Sequence, residues 1–240
     1  MKKKMIALLA GALLTTAMAG NALAAFTDFD LIRVVYQRST GTVEVATELG
    51  DINTLLAAGP NAATTGGAFT SVTGADLSAG DYWVAYFARD KVNKDLWFTG
   101  SADSKIGSLK TGLIDGLYSN TVNLYNFVGG TAGDTQVSIS TTEPNSYKVK
   151  TFGDGFSSVF IQGAETTEAS LADLANGPAV QDLYYFNSYG TSQFGEKIAS
   201  IATFADGSTV FNYQATPIPP AFFLMGSGLL GMVGLRRKKA

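Results

Sequence analysis

Residues 81–89 read DYWVAYFAR. In an extended chain Tyr82, Val84 and Tyr86 share one face, and Trp83, Ala85 and Phe87 share the other. Both sets are apolar. A strand with one wet face alternates apolar with polar, so this one is covered on both sides, by sheet, loop or helix. After the turn DKVNK (90–94), residues 95–99 (DLWFT) return as its partner.

The β pattern extends in both directions. Upstream, DLIRVVYQR (30–38) puts Ile32, Val34 and Tyr36 on one face and Arg33 and Gln37 on the other. Ser39, Thr40 and Gly41 turn the chain into TVEVATEL (42–49), with Val43 and Val45 facing inward, which predicts a hairpin. DINTLLAAGP (51–60) predicts a short helix capped by Asp51, ended by Gly59 and blocked from continuing by Pro60. Residues 60–80 are small and polar and read as a loop.

Downstream, Ile106, Leu109, Leu113 and Leu117 recur at helical spacing across 104–118, although three glycines each weaken a helix by about 1 kcal/mol. Strands are predicted at 121–128, 135–140, 146–150, 157–162 and 182–189. EASLADLA (168–175) predicts a second capped-off helix before Asn176, Gly177 and Pro178. Asp206-Gly207 between KIASIATF (197–204) and STVFNY (208–213) predicts a final hairpin. About ten short strands with two or three small helices make a mainly β chain. The expected architecture is a β-sandwich or jelly-roll-like single domain.

Composition removes whole classes of chemistry. The chain has no Cys and no His. Disulfides, Ser-His-Asp triads and most zinc, copper and haem sites go with them. No Gly-rich phosphate loop of the G-x-x-x-x-G-K-[ST] kind is present. Asp90, Asn93 and Asp95 could offer oxygens to calcium, but the spacing departs from the EF-hand loop and suits a turn as well. No acid stands out as half of a glycosidase pair. The expected sets of catalytic residues, metal ligands and cofactors are therefore empty. Trp83 and Trp97 are the candidate glycan-stacking aromatics, with core filling as the competing use of the same side chains.

The two ends read differently from the middle. Lys2, Lys3 and Lys4 precede an apolar stretch, and Ala22-Leu23-Ala24 supplies an A-x-A site with Ala25 beyond it. Residues 1–24 thus read as a signal peptide cut by signal peptidase. At the other end, TPIPPAFFLMGSGLLGMVGLRRKKA spans residues 216–240. Its 15 uncharged residues from Ala221 to Leu235 reach about 22 Å as a helix, short of the ~30 Å hydrocarbon core. Pro217, Pro219 and Pro220 resist extending that helix backward. Arg236, Arg237, Lys238 and Lys239 would stay cytoplasmic. Without these ends the central domain, 25–215, holds ten basic and twenty acidic residues, a net charge of −10. That balance argues against nucleic acid and anionic membrane surfaces as partners.

A proline motif, a short Gly-rich hydrophobic helix and a basic terminus together resemble the PEP-CTERM sorting tails of diderm bacteria, in their V-P-x-P-A variant. Pro217, Ile218 and Pro219 match the motif. Thr216 stands where Val is usual, and Pro220 intervenes before Ala221. The resemblance implies recognition and processing of the tail by exosortase, a membrane-embedded cysteine transpeptidase. It also implies transient residence in the inner membrane, with delivery to the cell surface or beyond. Proteins with such tails are commonly associated with exopolysaccharide or biofilm. The expected function is that of an exported, non-enzymatic surface or matrix protein. The alternatives are a carbohydrate-binding module and a carboxylate-dependent glycosidase. An ordinary retained membrane anchor is the competing reading of the tail.

Overall fold

The computed structural model describes residues 26–39, 41–64, 81–101, 136–149, 168–187 and 195–215. The signal segment, the tail, the 104–118 helix and the strands at 121–128 and 157–162 lie outside them. The described strands are β1 (Asp30–Gln37), β2 (Val43–Asp51), β3 (Ala62–Ala63), β4 (Tyr82–Asp90), β5 (Asp95–Ser101), β6 (Gln136–Ser140), β7 (Ala169–Ser170), β8 (Ala179–Phe186), β9 (Glu196–Thr203) and β10 (Thr209–Phe211). One helix, α1 (Ile52–Ala57), follows β2. The chain is mainly β, and its strands form one curled antiparallel sheet. Their order is β3-β10-β9-β8-β5-β4-β1-β2-β6, with β7 added beside β4. Among the described residues no helix is long and apolar enough to cross a membrane.

The curl follows from side chains that meet across it. Arg33 on β1 donates from Nη1 to the Gly207 carbonyl at 3.0 Å and to Thr209 Oγ1 at 2.9 Å. Yet β1 and β10 stand five places apart in the sheet. Flat strands spaced about 4.8 Å apart would separate them by about 24 Å, far beyond a side chain's reach. Tyr86 on β4 likewise pairs its hydroxyl with Thr203 Oγ1 on β9 and with Thr209 Oγ1 at 3.2 Å. The face carrying these bonds is therefore the inside of the curl.

Both faces are core. The inner face packs Leu31, Val35, Val84, Trp97, Leu183 and Ile201 against Ile52 and Leu55 of α1. The outer face packs Ile32, Tyr36, Phe87, Phe98, Phe186 and Tyr147. The two apolar faces of DYWVAYFAR are thus used as expected, with DLWFT as its partner strand. The first and last hairpins also form where predicted. Helix α1 has the predicted caps: Asp51 Oδ1 accepts from Thr54 N at 2.8 Å, and Gly59 takes φ +84°.

Three expectations need correction. Residues 168–175 form no helix: Ala169–Ser170 is strand β7, followed by turns. The cause is a slot between β4 and β5. These strands pair only from Phe87↔Phe98 outward to Asp90↔Asp95. At Tyr86 the backbone N–H turns to the Thr99 hydroxyl instead, at 3.0 Å. The strands then diverge, and β7 fills the vacated edge at Trp83 and Val84. Residues 146–149 are likewise not a strand but a bend running into a helical turn. Val43 is exposed, because it lies at the very start of β2.

Replacing Arg33 with Met should strand the Gly207 carbonyl inside the curl and cost about 2–3 kcal/mol. A lowered urea midpoint with an unchanged m-value is the expected readout.

Candidate functional site

The polar side chains of the outer face gather around Tyr36. On β1 it stands opposite Glu44 of β2 in the register. Its hydroxyl lies 2.9 Å from both carboxylate oxygens of Glu168, the residue that leads into β7. Arg38 Nη2 reaches Glu168 Oε2 at 2.8 Å. The same guanidinium lies 3.6 Å from the centre of the Trp83 ring, a cation–π stack. Trp83 Nε1 in turn donates to Asp81 Oδ1 at 2.6 Å. Glu44 shares this face, and its two oxygens accept the backbone N–H groups of Tyr147 and Lys148. The Tyr147 ring packs against Tyr36 and Phe87 at 5.8 and 6.2 Å.

Burial dominates the electrostatics. Glu44 is 0% exposed and Glu168 is 1% exposed. Burial pushes the Glu44 carboxyl up to about 7, against the two N–H bonds and the charge of Lys148, with Glu168 adding to the rise. Burial also raises Glu168, opposed by the Arg38 charge and by hydrogen bonds from Tyr36, Arg38 and Tyr147. The Tyr36 hydroxyl is pushed up by burial and by Glu168, so it stays protonated and donates.

This arrangement fastens the outer face with buried polar bonds. Glycoside hydrolysis by two carboxyls requires both to face a substrate across an opening. Here each carboxylate is buried and engaged by the protein's own donors. Among the described residues a shallow depression of about 230 Å³ lies elsewhere, lined by Ser170, Asp173, Leu174, Asn176 and Pro178 among others.

The structure separates the two tryptophans. Trp97 is buried on the inner face, 5.2 Å from the Tyr185 ring, whereas Trp83 is half-buried on the outer face under Arg38. They share no platform. Asp90, Asn93 and Asp95 shape the β4–β5 turn. Asp90 Oδ1 accepts from Val92 N at 2.8 Å, its Oδ2 accepts from Asn93 Nδ2 at 2.6 Å, and Asp95 Oδ2 accepts from the Tyr185 hydroxyl at 2.8 Å. Among the described residues no group of three acids is placed to hold a metal ion. Ala22, Ala24, Ala25, the proline motif and the basic terminus lie outside the described residues.

Sequence reasoning did not single out Glu44, Glu168 or Arg33. The one available signal was position. Glu44 and Arg33 sit inside strand runs whose neighbours on both sides are apolar, so any charge there needs an internal partner. No family model, curated protein or solved structure matches the chain.

Arg38→Met should leave Glu168 buried without its cation and lower stability by about 3 kcal/mol. Adding Glu168→Gln to that variant should recover much of the loss, measured by urea denaturation of both proteins.

Proposed function

We propose that the chain is an exported surface or matrix protein, delivered by an exosortase-like transpeptidase and associated with exopolysaccharide. The observation that carries this reading is the tail, with its Pro217-Ile218-Pro219 motif, short Gly-rich apolar run and Arg236 to Lys239 terminus. The N-terminal signal segment supports it, since the tail can be processed only if the domain is first exported. The acidic balance of residues 25–215 suits a soluble life outside the cell. The role we assign to the domain is non-enzymatic: adhesion or scaffolding.

The fold is compatible with this role. A sheet with core on both faces needs a cover on each, and we read the whole domain as a sandwich- or jelly-roll-like closure around it. Its recognition surface would then be its rims and turns. The carbohydrate-binding alternative gains no support from Trp83 and Trp97, which lie on opposite faces. The glycosidase alternative gains none from Glu44 and Glu168, which are sealed.

Mass spectrometry of the mature C-terminus from native cells tests the proposal. Material ending near Thr216 to Ala221 is the expected outcome. An intact mature peptide spanning Thr216 to Leu235 would reject processing. Replacing Pro217 and Pro219 together by Ala should cause the full tail to be retained in the membrane fraction.

A further inference from the structure

The chain holds a single Asn-Gly pair, Asn176-Gly177, in the turns between β7 and β8. Both residues are exposed. Asn176 N donates to the Asp173 carbonyl at 2.9 Å, which fixes the turn before the pair. Among the described residues, no hydrogen bond engages the Asn176 side-chain amide or the Gly177 N–H. Gly177 takes φ +153°, and a Cβ built on it would meet nothing within 4 Å. The Gly177 nitrogen is therefore unpaired and unshielded, next in the chain to a free side-chain carbonyl. The pair borders the shallow depression that also holds Ser170 and Asp173, so water reaches it.

A related pair, Asp206-Gly207, sits in the β9–β10 turn, and there the reacting groups are held. Gly207 N donates to the Phe204 carbonyl at 2.9 Å, and the Gly207 carbonyl accepts from Arg33. Asp206 Oδ1 accepts from Ser208 N at 2.9 Å and from Ser208 Oγ at 2.6 Å. Two further asparagines are tied as well. Asn61 Oδ1 accepts from Gln214 N at 2.9 Å, and Asn93 Nδ2 donates to Asp90 Oδ2 at 2.6 Å. Each of these is followed by a residue with a side chain, Ala62 or Lys94.

We propose that Asn176-Gly177 is a self-modification site, where the folded domain converts Asn176 to aspartate and isoaspartate, while Asp206-Gly207 stays locked. The Gly177 nitrogen attacks Cγ of Asn176 and gives its proton to solvent base. A new C–N bond closes a cyclic imide. The side-chain nitrogen takes a proton from water and leaves as ammonia. Water then adds to one of the two imide carbonyls. Opening at Cγ yields aspartate. Opening at the main-chain carbonyl yields isoaspartate, with the chain rerouted through the side chain. Net, one water is consumed and one ammonia released, and no oxidant is needed. Each conversion adds a negative charge to the depression that holds Asp173. Isoaspartate also lengthens the main chain by one methylene just ahead of β8. Pro178 separates the pair from that strand and has no N–H to lose, so the pairing that begins at Ala179 is kept. The change thus marks the age of a folded molecule without unfolding it. It needs only water, whatever becomes of the tail.

Ageing of the purified full chain in a non-ionic detergent at neutral pH tests this, read by peptide mapping with mass spectrometry. One sample stays folded, and one is held unfolded in guanidinium chloride. The Asn176 peptide should convert in the folded chain at a rate within a few-fold of the unfolded one. It should split into two isomers of equal mass, of which one accepts a methyl group from an isoaspartyl methyltransferase. The Asp206 peptide should isomerise roughly tenfold or more slowly in the folded chain than in the unfolded one, since its groups must first be released. Gly177→Ala places a Cβ beside the attacking nitrogen and should slow conversion at Asn176 roughly tenfold. An Asn176 peptide that converts in denaturant but not in the folded chain would overturn the proposal. Equal Asp206 rates in the two states would do the same. Should the variant not fold, the wild-type comparison decides alone.

Discussion

The Arg33 guanidinium is the constraint around which this fold is built. It is 0% exposed, and it donates to groups at the β9–β10 turn, on the other side of the curl. A guanidinium cannot shed its charge readily, so burying it is tolerable only where acceptors converge on it. The Gly207 carbonyl and the hydroxyls of Thr209 and Thr47 provide them, the last at 3.4 Å. Tyr86 completes the arrangement from β4 through Thr203 and Thr209. These polar contacts specify the curvature, which apolar packing alone would leave loosely defined.

The splay of β4 and β5 is a local break in pairing. Thr99 takes the Tyr86 N–H into its side chain, so the ladder ends without leaving an unpaired donor. The opened edge admits β7, and β7 carries two kinds of residue to opposite faces. Leu171 and Leu174 join the inner core, while Glu168 turns outward beneath Tyr36 and Arg38. One local break in pairing therefore supplies both the inner packing and the outer-face charge cluster. Phe186 shows how closely the rest is fitted: a Cβ at Gly195 would come within 2.5 Å of its ring.

Local chemistry was legible in the sequence, and long-range chemistry was not. DYWVAYFAR announces a strand covered on both sides because both of its faces are apolar, and no other part of the chain alters that. Asp51, Gly59 and Pro60 announce a helix because capping acts within one turn. EASLADLA carries the same kind of signal, yet it becomes a strand and turns, because a slot opened by Thr99 competes for its backbone. SYKVK alternates as a strand should, but the Glu44 carboxylate takes two of its N–H groups. The charge cluster was hidden for the same reason: Tyr36 and Glu168 lie 132 residues apart. A single charged residue in a strand usually marks a wet face, and only the fold shows that both faces here are dry.

The Arg33 contacts also set an order of events. Their two ends are separated by 174 and 176 residues. Contacts this distant close late, since a long loop must be drawn in before any bond rewards it. The first strand thus emerges from the ribosome long before the residues that complete it. Until Gly207 and Thr209 have been made, Arg33 has only Thr47 of these acceptors. The contacts that close the curl therefore wait on nearly the whole chain, although β1 can pair with β2 and β4 well before then.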